Sequence, residues 1–149
     1  MAIMGVAKFE RFFRLAAGLD VDKTDLKRFN DFINHKLYDL LTRAEAAAKA
    51  NGRDVIAPFD LPIAKGLQER IYEFAAIDED IELRPILDGL ATLPPLDLAI
   101  GEEARAHLPA VAGGLGLALA RAFKLVVPGL KNPRSEEWER VLGVFDLLL

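Results

Sequence analysis

The stretch Ala44-Glu45-Ala46-Ala47-Ala48-Lys49-Ala50-Asn51-Gly52-Arg53-Asp54-Val55-Ile56-Ala57-Pro58-Phe59-Asp60-Leu61 changes backbone state three times. Its alanine-rich opening favours helix. Asn51-Gly52 is a left-handed helix stop, because glycine enters positive φ without a Cβ penalty. Residues 53–57 turn to Val and Ile, which suit extended backbone, and Pro58 has its φ preset for the first turn of a new helix. Upstream, Leu26, Phe29, Phe32, Ile33, Leu37, Leu40, Leu41, Ala44, Ala47 and Ala48 recur at spacings of three and four, the apolar stripe of one long helix. Its start is marked by Asp20-Val21-Asp22-Lys23-Thr24-Asp25, which offers caps and first-turn acids. The helix so defined has about 28 residues, against a usual mean of about 12. Before it, Phe9, Phe12, Phe13, Ala16 and Ala17 predict a short amphipathic helix over 9–19 that stops at Gly18. After it, a third helix is expected from Pro58 through Phe74.

Short helix, long helix, brief extended loop, medium helix: this order, with the quoted residues, resembles the histone fold. The resemblance lies in the end of the long helix, its Gly52-Arg53 turn, the extended second loop and the Pro58-x-Asp60-Leu61 opening of the last helix. It implies that Arg53 and Asp60 form a buried or half-buried pair tying the loop to that helix. It also implies a partner, since a three-helix unit leaves the apolar face of its long helix open until a second unit crosses it.

Residues 83–149 supply that second unit. A short helix over 83–93 is followed by the break Leu93-Pro94-Pro95-Leu96, a long helix from about Glu102 to Leu125, a loop over 128–133, and a last helix from Ser135 to about Leu148. Aligning Gly129 with Gly52 gives an offset of 77, which also sets Glu137 on Asp60 and Trp138 on Leu61. Leu130 stands where Arg53 would recur, so the Arg–Asp tie is absent from this copy. Pro109, Gly113, Gly114 and Gly116 fall inside the long helix. Each Gly costs about 1 kcal/mol relative to Ala there, so either close packing uses them or the helix breaks. The expected fold is all-α: one compact domain over 1–149, with a first histone-fold half (1–75), a linker (76–82) and a divergent second half (83–149) forming an intramolecular pseudodimer, similar to a family of uncharacterised bacterial and archaeal single-chain histone-fold proteins. An ordinary helical bundle shares the periodicity.

At 149 residues, 52% hydrophobic and 28% charged, the chain has a single domain's length and enough apolar surface to fold. It has no cysteine, which excludes disulfides, thiol catalysis and cysteine-ligated metals. The opening residues lack the pattern of a secretory signal. The longest weakly charged stretch, 108–120, is 13 residues, short of the roughly 20 that span a bilayer. A soluble cytoplasmic protein, nucleoid-located if it binds DNA, is expected. One Ser, one Gln and abundant Ala and Leu fit a thermophile or a GC-rich genome. Net charge is −4, which gives no global argument for nucleic acid. The charge is uneven, however: residues 1–75 carry 12 basic and 11 acidic groups, and residues 76–149 carry 7 and 12.

Catalytic candidates are few, and the chain reads as non-enzymatic with no cofactor or metal. Ser135, the only serine, precedes a helix and reads as its N-cap. His107 has only Glu103 at helical spacing. Asp31, His35 and Asp39 form an i, i+4, i+8 column that could hold a divalent ion, though a solvated face is the simpler account. Gly113-Gly114-Leu115-Gly116 lies within an apolar helical pattern and reads as packing. No phosphate loop or nucleotide fingerprint is present. The resemblance implies that the first loop of one unit lies beside the second loop of the other, with the first helices between, as the phosphate-contacting surface. On this chain one end then gathers Lys23, Lys27, Lys131 and Arg134 and is basic. The other gathers Arg53 with Asp54, Asp97, Glu102 and Glu103, and the middle offers Lys8, Arg11, Arg14 and Arg84. Weak, sequence-nonspecific binding of double-stranded DNA at the basic end is the expected role; the alternative is a protein-interaction module without a DNA surface. Phe12, Phe13, Phe29, Phe32 and Trp138 read as core. Phe145, Leu147 and Leu148 crowd apolar groups near the chain's end, and self-association through this last helix is expected.

Overall fold

The computed structural model describes residues 2–77 and 79–149; Asp78, in the expected linker, and Met1 lie outside the described residues. Among the described residues, six α-helices and two short strands follow in order: α1 (Val6–Ala17), α2 (Lys23–Ala50), β1 (Val55–Ile56), α3 (Lys65–Ala75), α4 (Leu83–Leu90), β2 (Ala99–Ile100), α5 (Glu102–Val126) and α6 (Ser135–Leu148). The chain is all-α apart from one two-stranded bridge.

The long helices are set by their ends. At the start of α2, Asp22 accepts from the N–H groups of Thr24 and Asp25, while the Asp25 carboxylate accepts from the N–H of Asp22. This reciprocal cap satisfies donors that the helix itself leaves free. Gly18 ends α1, Gly52 follows α2 and Gly129 follows α5, all at positive φ. Gly52 and Gly129 are the pair matched by the offset of 77.

Three sequence expectations are corrected. The third helix does not run from Pro58: residues Pro58–Asp60 make one tight 3-10 turn, and α3 begins at Lys65. Pro62, which has no N–H and biases its predecessor away from helix, stands in the break between them. The short helices are shifted: α1 starts at Val6, and α4 stops at Leu90, ahead of Pro94-Pro95. Ser135 is not the N-cap of α6. Arg134 holds that place in extended conformation, its N–H received by the Glu137 carboxylate at 3.2 Å.

Helix α5 runs unbroken through Pro109 and the glycines. The glycines are where other helices approach: a Cβ at Gly113 would overlap the Phe74 ring, one at Gly114 would lie 3.0 Å from the backbone nitrogen of Ile71, and one at Gly116 would press on Phe12 and Phe29. Loss of helix propensity is therefore offset by close packing of α3 and α1 on α5. By length and hydropathy α5 could cross a bilayer, contrary to the expectation from residues 108–120. It is instead the central helix of the core, buried continuously from Val111 to Leu117.

The core joins both halves. Phe12 and Phe13 each meet Phe29 edge to face, Phe9 lies tilted against Phe13 and Phe29, and Phe12 and Phe29 close over Gly116. Trp138 lies 4.9 Å from Phe123 of α5 and 6.3 Å from Phe13 of α1, ring centre to ring centre.

Candidate nucleic-acid interface

Two junctions fix the ends of the molecule. At one, β1 runs parallel to β2, with Val55 opposite Ala99 and Ile56 opposite Ile100. The Gly101 N–H donates to the Ile56 carbonyl at 2.9 Å. At the other, the Asp20 N–H donates to the Lys131 carbonyl at 2.7 Å. Each joins the loop between the first two helices of one half to the loop before the last helix of the other.

Lys23 and Lys131 therefore emerge within a few residues of one hydrogen bond, with Arg134 next along the loop. All three are exposed and make no ion pair among the described residues. Lys27 is exposed on the next turn of α2 and pairs with Asp31 at 2.9 Å. Acids share this end: Asp22 caps α2, Asp20 faces Arg14 at 3.8 Å, and Glu137 caps α6. The N-termini of α2 and α6 also open here, but that of α2 is already capped by the Asp22 carboxylate, and α6 carries Glu136 and Glu137 in its first turn.

The other candidates are engaged. Arg11 reaches the buried carboxylate of Glu79 at 2.6 Å. Lys8 donates to the Asp80 carbonyl, and Arg84 pairs with Asp88 at 3.1 Å. Arg53 grips Asp60 through both terminal nitrogens at 2.5 Å, and Asp60 also accepts from the Ala57 N–H at 2.8 Å. The guanidinium holds the Asp60 carboxyl below its ordinary range. At offset 77, Glu137 accepts from Arg134 as Asp60 does from Ala57, so the second copy keeps the carboxylate-to-backbone half of the motif without its arginine. At the Arg53 end Lys49 is taken by Asp97 at 2.7 Å, whereas Asp54, Glu102 and Glu103 are exposed.

The Asp31–His35–Asp39 column is dispersed into other contacts. Asp31 holds Lys27, His35 Nδ1 lies 2.8 Å from the Asp31 backbone carbonyl, and Asp39 faces Lys36. No group of three or more metal-ligating side chains converges among the described residues.

Several long-range polar contacts escape a sequence reading. Lys36 is buried and binds Asp146 at 2.7 Å, pinning α6 to α2. Arg28 donates to the Ser135 hydroxyl at 2.6 Å. The Trp138 indole donates to Asp25 at 2.9 Å, and burial raises the Asp25 carboxyl above its ordinary range. Lys36 does carry a signal, since it falls inside the apolar stripe between Ile33 and Leu40.

Comparison with known proteins places this geometry. The family model for a domain of unknown function (DUF1931) matches residues 9–146. The crystal structure of a Thermus thermophilus protein shares 59% identity, with 99% of each chain covered and a TM-score of 0.95. An uncharacterized protein of Aquifex aeolicus (strain VF5) is 30% identical over 142 residues, 95% of this chain and 82% of that protein. The crystal structure of the histone from Methanopyrus kandleri is 16% identical, over 91% of this chain and 90% of that one, with a TM-score of 0.61. That last likeness shows a histone fold.

Proposed function

The chain belongs to the DUF1931 family and has a histone fold, and from that premise we propose that it is a non-enzymatic protein that binds double-stranded DNA weakly and without sequence preference, through one end only. The observation that carries this reading is the Asp20–Lys131 backbone hydrogen bond. Around it stand three exposed cations that make no ion pair among the described residues, Lys23, Lys131 and Arg134, groups suited to phosphate oxygens. Lys27 adds a fourth cation once Asp31 yields it. At the opposite end Asp54, Glu102 and Glu103 would repel a phosphate backbone. The reading puts the protein in the cytoplasm, on the nucleoid.

The test is binding to a duplex of about 30 base pairs over a salt series. Each neutralised phosphate contributes about 0.9 to the slope of log affinity against log salt, so three or four contacts give a slope of roughly 3 to 4. A steeper slope would mean that both ends engage. No binding at about 50 mM salt would exclude the proposal, because phosphate-driven affinity is strongest there.

One observation favours the second reading, a protein-interaction module: the last turns of α6 expose Leu147 and Leu148 to solvent.

A further inference from the structure

Helix α6 has two apolar faces. Its inner face, Trp138, Val141, Leu142 and Phe145, packs inward; the Phe145 ring lies 5.1 Å from Phe32, and Lys36 holds Asp146 beside it. Its outer face is a ridge of Val144, Leu147 and Leu148, which are 38%, 86% and 75% exposed. These stand at i, i+3 and i+4, the spacing by which a helix enters an apolar groove. Because the inner contacts fix α6 on α2, this ridge cannot fold back into its own core.

A matching groove of about 310 Å³ lies elsewhere on the molecule, between α2, α4 and the segment leading into α5. Tyr38, Leu87, Leu90, Leu96 and Leu98 line it, and the Tyr38 hydroxyl donates to the Pro94 carbonyl at 2.9 Å, fixing one wall. These four leucines are half-buried, over a floor that includes the buried Leu41. Arg105 stands in the groove's lining, exposed and without an ion pair among the described residues. The last turn of α6 has the opposite character: its Asp146 is taken by Lys36, but it carries no basic residue and presents the negative end of the helix dipole.

We propose that the Val144/Leu147/Leu148 ridge of one copy docks in the Tyr38/Leu90/Leu98 groove of a second copy, with Arg105 facing the carboxyl end of the incoming helix. The inference is independent of DNA binding. Ridge and groove are different surfaces, so the contact is heterologous. A ridge of three aliphatic side chains buries less than the roughly 1,200 Å² typical of stable interfaces, so half-association falls on the order of 10 to 100 μM.

The experiment is sedimentation of the full chain across this concentration range, with two variants at exposed positions. The ridge variant combines Leu147→Glu with Leu148→Glu, and the groove variant combines Arg105→Glu with Ala91→Glu, Ala91 being an exposed residue of the groove's lining just after α4. The wild type is expected to associate with rising concentration and each variant to stay monomeric. An equimolar mixture is expected to form a one-to-one pair and nothing larger, since one intact ridge and one intact groove remain between them. A wild type that stays monomeric throughout overturns the proposal. So does a groove variant that associates like the wild type, which would mean that ridges pair with one another, or a mixture that stays monomeric.

Discussion

The Trp138 indole nitrogen donates to a carboxylate oxygen of Asp25 at 2.9 Å, across 113 positions of sequence, and both groups are buried. One carboxylate thus caps α2 and anchors α6. Replacing Asp25 with Ala strands a buried indole donor and removes half of the cap, for an expected loss of about 1–3 kcal/mol in denaturant unfolding.

The same contact makes a pH prediction. Burial raises the Asp25 carboxyl, so the folded chain holds this proton more tightly than the unfolded chain does. The resulting penalty is fully present at neutral pH and is relieved as pH falls through the folded value towards the ordinary carboxylate range. Asp25→Asn should abolish this component of the pH–stability curve. Trp138 is the only tryptophan, so its fluorescence in the native state should titrate over the same window.

Asp60 behaves oppositely. Its carboxyl is lowered, first by the Arg53 hydrogen bonds, so its stabilisation is present above the ordinary carboxylate value and is lost as pH falls through the folded one. Arg53→Ala and Asp60→Asn should each lower the melting temperature at pH 7, and the double variant should lose less than the sum of the two. Strict additivity would mean that the pair does not couple loop to turn.

Glycines divide by what surrounds them. Gly113→Ala and Gly114→Ala gain helix propensity yet force α3 away from α5, an overpacking cost of about 1–3 kcal/mol. Gly143, inside α6 with open space beyond it, has no such neighbour. Gly143→Ala should stabilise by about 0.5–1 kcal/mol, and thermal melts of the three variants should separate in sign.

If one end contacts phosphates, Lys23→Ala and Lys131→Ala should weaken binding alike on all duplex sequences, whereas Arg53→Ala should change affinity little at a temperature where it stays folded. Titration with two unrelated duplexes reads both. The reverse ranking would place DNA at the other end.

A fragment of residues 1–80 lacks α5, against which Phe12, Phe29, Ile71 and Phe74 pack. It should be unfolded, or folded only as a dimer, by circular dichroism and sedimentation. A monomer that melts cooperatively would mean that the halves are independent.

What can be read from the sequence is local. The ends of α2 follow from Asp22 and from Asn51-Gly52, whose effects reach no further than four residues, and Gly129 announces the matching turn 77 positions on. The break at Leu61–Ala64 escapes such a reading although Pro62 stands in plain view, because Pro58 offers an equally good helix start. The glycines of α5 are ambiguous for a physical reason: propensity sees the missing methyl, but only the fold shows the Phe74 ring that occupies its place. Charges are the least legible. Arg11 reads as a surface cation until Glu79, 68 positions away, is brought to it, and Lys36 finds Asp146 only when α6 closes over α2.

The bond from Asp20 to Lys131 and the bridge from Val55 to Ala99 are made by unlike residues within one chain. Two identical subunits would make these junctions as mirrored twins, and every substitution would be felt twice. Covalent joining removes that bond of symmetry. Each mouth of the molecule can mutate alone, one drifting towards acid while the other keeps its cations, and what results has a front and a back.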